Sequence, residues 1–160
     1  MARLYKTLVR PHVEYCTGAW SPYYQKDKDL IEKIQHRFTK MIPNISHLSY
    51  EERIEILHLW TLEERRNRAD LIQVFKMYSG ASAPGFGDFF EVDSRGRTRG
   101  HSLKLVKHRS STLVRQMFFS ERVVNNWNRL SAETVASTSL EQFKNRLSKL
   151  REAKKGLFRD

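Results

Sequence analysis

The chain has a single cysteine, Cys16, so no intrachain disulfide can form and the sequence reads as a nuclear or cytoplasmic protein. No apolar run approaches the ~20 residues that cross a bilayer, so no membrane partner is expected. The stretch from Met1 to Arg10 has three cations but no long apolar segment, and it is not expected to act as a signal peptide. Without secretion, the sequon Asn44-Ile45-Ser46 is a chance match. Neither a Gly-x-Gly-x-x-Gly turn nor a P-loop is present. Acids are missing altogether between Ser94 and Ser120.

What is present is basic and helical. In 160 residues, 29 Lys and Arg stand against 18 Asp and Glu, a net charge of +11 that favours a polyanionic partner. Seventeen of the cations are Arg, whose planar fork matches phosphate oxygens. An apolar content of 39% suffices for a core.

Apolar spacing from Leu4 to Trp20 suggests two short helical pieces divided by Pro11. From Lys26 to Ile42, Leu30, Ile31, Ile34, Phe38, Met41 and Ile42 fall within one ~120° arc, with Lys33, Arg37 and Lys40 as a stripe on its flank. Ser49-x-x-Glu52 and Thr61-x-x-Glu64 are capping boxes opening helices to about Leu57 and Tyr78, the second ended by Gly80. Glu64 and Arg68 share the apolar face of that second helix and read as a structural tie. Residues 79–87 are rich in Gly, Ala, Ser and Pro and mark a linker. Phe89–Val92 and Leu103–Val106 are candidate short strands. Phe119, Val123, Val124, Trp127 and Leu130 then line one side of a helix, and Ser139-x-x-Gln142 caps a last one carrying Leu140, Phe143, Leu147 and Leu150.

Catalytic or metal chemistry finds little support. His12-x-x-x-Cys16 has ligand spacing but no further ligands, so no metal or other cofactor is expected. Asp27-x-Asp29, Glu51-Glu52 and Glu63-Glu64 each fall in a first helical turn, where exposed amides favour negative charge. No enzymatic activity is expected. Nucleic-acid binding is better supported: Lys33, Arg37 and Lys40 are candidate phosphate-binding residues, and Arg95, Arg97, Arg99, Lys104, Lys107 and Arg109 form a dense basic strip. Phe86, Phe89, Phe90, Phe118 and Phe119 lie nearby, and they read first as core residues and second as stacking platforms. Arg115, Arg122 and Arg129 recur every seven residues. On one continuous helix they would line up in steps of ~10.5 Å and track a phosphate backbone, whereas a new helix capped by Ser120 would detach Arg115 and leave only Arg122 and Arg129 aligned.

The run Leu4-Tyr5-Lys6-x-Leu8-Val9-Arg10-Pro11-His12-x-Glu14-Tyr15-Cys16, followed by Ala19-Trp20-Ser21-Pro22-Tyr23, resembles the segment after the polymerase palm in non-LTR (LINE) retrotransposon reverse transcriptases of the CR1 and jockey-like group. The likeness continues through Leu48-Ser49-Tyr50-Glu51-Glu52-Arg53, Thr61-Leu62-Glu63-Glu64-Arg65-Arg66 and Asp70-Leu71-Ile72-x-Val74-Phe75-Lys76. Thr98-Arg99-Gly100-His101-Ser102 and Phe118-Phe119-x-x-Arg122-Val123-Val124-Asn125-x-Trp127-Asn128 extend it. The resemblance implies a thumb from Leu4 to about Tyr78, a C-terminal extension from Arg95, an RNA or RNA–DNA partner, and an upstream palm that carries the catalytic carboxylates. No position here matches those carboxylates.

The expected fold is mainly α: a bundle of about six helices with a small β hairpin or irregular basic loop in the middle. Residues 1–79 would be a thumb-like lobe, 80–112 a linker and basic loop, and 113–160 a C-terminal helical segment. The expected function is non-catalytic, sequence-tolerant binding of RNA or RNA–DNA hybrid through phosphates. A domesticated helical adaptor for an acidic protein, or an inert translated relic, are the alternatives.

Overall fold

The computed structural model describes residues 2–94, 100–154 and 158. The chain is mainly helical. It begins with a continuous helical stretch in three parts: α1 (Ala2–Leu4), a π-helical turn (Tyr5–Val9) and α2 (Arg10–Glu14). The two pieces expected on either side of Pro11 are therefore joined. Inside a regular α-helix the Pro11 ring would press on the carbonyl four residues back. Here the preceding turn is widened, with the Arg10 amide donating to the Tyr5 carbonyl.

Helix α3 (Gln25–Lys40) follows, then α4 (Tyr50–Ile56) and α5 (Leu62–Tyr78). Both capping boxes form as the spacing predicts. Ser49 Oγ accepts from the Glu52 amide while Glu52 accepts from Ser49, and Thr61 and Glu64 do the same. Gly80, at φ +72°, closes α5, with Gly80 N donating to Met77 O and Ala81 N to Lys76 O. α4 ends in the same manner at His58, which takes φ +49°.

The second half holds α6 (Leu113–Met117), α7 (Phe119–Asn128), α8 (Ala132–Val135) and α9 (Leu140–Ala153). At the start of α9, Ser139 caps the Gln142 amide, but the Gln142 side chain accepts from Thr138 N, one residue before the expected partner. α5 lies at the centre. Its Leu71, Val74, Phe75 and Met77 share one core with Phe119, Val123, Val124 and Trp127 of α7 and Phe143 and Leu147 of α9. Phe75 stacks on Phe143 at 4.3 Å, and Trp127 is fully buried. Truncating a ring in such a site costs about 3–5 kcal/mol. A smaller cluster of Tyr5, Ile54 and Leu59 lies under the N-terminal stretch. The main core thus crosses the boundary expected at 79/80.

Of the two forms expected for the middle of the chain, a small β hairpin or an irregular loop, no extended strand is found among the described residues. Among the described residues the only β pairing is one antiparallel bridge, Val92 with Leu105. Asp93 N donates to Lys104 O at 2.7 Å and Val106 N to Glu91 O at 2.8 Å across this bridge, while on the outer side of the segment Asn128 of α7 accepts from Leu105 N at 2.8 Å and donates to Leu105 O at 2.9 Å. Trp127 Nε1 donates to Leu103 O at 2.8 Å. The segment thus pairs with one neighbour through its backbone, and helix side chains take the place that a further strand would occupy.

The continuous helix over Leu113–Leu130 is not formed either. Phe118 is extended (ψ 146°), ending α6 and standing before α7. The break falls before Ser120, and the arginine line it would have carried is lost.

Candidate nucleic-acid interface

The arginines divide into those that hold the fold and those left on the surface. Arg65 grips Glu14 through two hydrogen bonds, one of them Nη2 to Oε2 at 2.8 Å, with Arg10 on the other side of the same carboxylate. Burial, and then the neighbouring Arg65, lower the Arg10 pKa. Arg53 is buried and donates to Thr39 Oγ1 and Leu48 O. Arg68 and Arg151 each lie 5.4 Å from the Trp60 ring, and Arg151 also reaches the buried Glu64 at 3.3 Å. Glu64 is buried and Arg68 half-buried on α5, and a cation that reaches Glu64 is Arg151 of α9.

Arg122 belongs with these structural arginines. It binds both oxygens of Asp70 at 2.8 and 3.0 Å and donates to the carbonyls of Thr17, Gly18 and Met117. These bonds draw on all three guanidinium nitrogens and leave a single N–H, on Nη1, in a side chain only 11% exposed. The expected phosphate role does not fit its geometry.

The other expected phosphate-binding residues fall into separate groups. Arg95, Arg97 and Arg99 lie outside the described residues. Lys104 is half-buried and engaged with a partner. Arg115 is exposed over the Phe118 ring and lies 3.7 Å from Glu121. Arg129 is exposed at the end of α7. Of the nearby phenylalanines, Phe90 and Phe119 are buried and Phe86 and Phe89 pack on the core, while Phe118 is exposed.

Lys33, Arg37 and Lys40 are all exposed on α3. None of them has an acidic partner among the described residues. Lys26 shares their ~60° sector at 100° per residue, which the same periodicity could have revealed. Next to this stripe, Leu30, Ile34 and Met41 are 60%, 41% and 64% exposed. The arc expected to face the core is therefore half outside. The inner face of α3 is instead centred on Gln35 and Thr39, both buried. Gln35 accepts from Tyr5 OH at 2.8 Å and donates to Tyr50 OH and Trp60 O, so a polar residue meets no desolvation deficit there. Burial beside Glu32 raises the pKa of both Tyr5 and Tyr50, keeping these hydroxyls protonated as donors.

A second basic surface borders a cleft of about 650 Å³ between the 21–23 turn and the segment that leads into α6 and α7. Tyr23, Lys28, Lys107, Arg109, Glu121 and Asn125 are among its walls. Lys107 and Arg109 are exposed and form no ion pair among the described residues, whereas Lys28 is tied to Glu63 at 2.6 Å.

Among the described residues no group of three or more His, Cys, Asp or Glu could hold a metal ion, and no helix is long and apolar enough to cross a membrane. Compared with family models, with curated proteins and with solved structures, the chain matches none.

Proposed function

We propose that the chain is a non-catalytic, nucleic-acid-gripping part of a non-LTR retrotransposon reverse transcriptase, binding RNA or an RNA–DNA hybrid through phosphates. The observation that carries this reading is the row of Lys33, Arg37 and Lys40. These three cations stand exposed along one helix while many of the other basic residues are engaged inside the fold. Lys33 and Lys40 are separated by ~10.5 Å along the axis, a span that reaches successive phosphates. Leu30, Ile34 and Met41 beside them give the helix an apolar edge that can rest on sugars. The motif likeness to the thumb region agrees with this placement, since the row lies within Leu4 to Tyr78.

Fluorescence anisotropy with labelled single-stranded RNA and RNA–DNA hybrid, repeated across salt concentrations, tests the reading. The triple variant Lys33→Glu, Arg37→Glu, Lys40→Glu should bind more weakly, with the slope of log K against log salt reduced by roughly 0.7 to 0.9 for each phosphate no longer neutralised. Unchanged affinity and slope would overturn it. Displacement of the RNA by an acidic peptide as readily as by unlabelled RNA would favour a protein partner.

A further inference from the structure

The cleft beside Tyr23 carries something a phosphate-only interface does not need: a buried carboxylate. Glu121 lines it with a side chain only 2% exposed. Its Oε2 makes no hydrogen bond, and Arg115 comes no closer than 3.7 Å to Oε1, beyond hydrogen-bond length. An ionised carboxylate is acceptor-only, and one held out of water without donors is costly unless something supplies them. At the cleft's rim, Lys107 and Arg109 are cations without acidic partners among the described residues, suited to a phosphate. Tyr23, 46% exposed, offers a ring for stacking. The volume lies within the range of small-ligand pockets.

We propose that this cleft receives one guanine nucleotide of the bound strand, its phosphate on Lys107 and Arg109, its ring on Tyr23 and its Watson–Crick edge on Glu121. The choice of base follows from the donor pattern. Guanine presents N1–H and N2–H side by side with no acceptor between them. Adenine and cytosine set one donor next to a ring-nitrogen acceptor, and uracil places its N3–H between two carbonyls. A carboxylate attracts the first arrangement and repels the others. The inference rests on the nucleic-acid reading and adds a base preference to it.

The test uses the full chain and labelled uridine octamers carrying one central guanosine, inosine, adenosine or cytidine, with anisotropy as the readout. Guanosine should bind tightest. Inosine, which lacks the N2 amine, should lose roughly 5-fold or more, within the 5- to 150-fold range of bidentate base contacts. Glu121→Gln, checked for folding by thermal melting, should bring the guanosine and adenosine affinities together. Lys107→Glu with Arg109→Glu should weaken all four alike and leave their ratio unchanged. Equal binding of the four octamers by the unaltered chain would overturn the inference while leaving the nucleic-acid reading intact. So would a preference that survives in folded Glu121→Gln. Failure to bind any octamer would overturn both.

Discussion

Replacing Arg122 by alanine tests whether the internal arginines hold the fold. The guanidinium joins three elements: Asp70 on α5, the Thr17 and Gly18 carbonyls ahead of α3, and Met117 at the end of α6. Its side chain is 11% exposed and that of Asp70 only 4%. Removing one partner of such a buried pair costs about 3–5 kcal/mol. Against a typical domain stability of about 5–15 kcal/mol, that is a large share. Urea unfolding followed by circular dichroism would read it as a drop in midpoint at constant slope. The double variant Arg122→Met, Asp70→Leu should recover much of the loss because neither buried charge remains. A single-variant loss below about 1 kcal/mol, the range of exposed pairs, would refute the reasoning. So would a double variant as unstable as the sum of the two singles.

His58→Gly should stabilise the chain by about 0.5–1 kcal/mol, because φ +49° at the end of α4 suits glycine and strains any other residue; an unchanged or lowered urea midpoint would contradict this. His101 is buried with its Nε2 3.1 Å from Trp127 O, and burial lowers its pKa below the ordinary 6.5. The unfolded chain therefore takes up the proton first, so the His101 contribution is complete above about pH 6.5 and is lost as pH falls through the lower folded value. Unfolding midpoints measured from pH 7.5 to 5 should fall less steeply in His101→Gln than in the unaltered chain, and parallel curves would count against the assignment.

Local signals are legible in the sequence. The capping boxes at Ser49 and Thr61 and the glycine stop at Gly80 act within a few residues, so spacing suffices to find them. What escapes depends on distance along the chain. The pairing of Arg122 with Asp70 spans 52 residues, and nothing in a basic heptad spacing separates a buried clamp from a phosphate ligand. On α3 the periodicity locates an amphipathic helix but turns it wrongly. Gln35 behaves as a core residue only because Tyr5, Tyr50 and Trp60 converge on it from other elements. The strand-like stretch at Leu103–Val106 pairs with residues 91–93 on one side, but its other edge is met by one asparagine, Asn128, whose preference for a neighbour's backbone no alternation pattern records. Glu121, central to the inferred base site, has the sequence position of an ordinary first-turn acid of α7.

The central position of α5 has a consequence for how the molecule comes apart. Its residues are buried on several sides, with Leu62 and Glu64 near its start and Leu71, Val74 and Phe75 further along. Helix α3 packs on it from one direction, and α7 and α9 from others. Melting the C-terminal half would strip the α7 and α9 side of this helix, leaving the N-terminal half only the small interior around Tyr5, Ile54 and Leu59. Native-state hydrogen exchange should then show the slowest amides of α5 opening together with those of α7 and α9, as one cooperative unit.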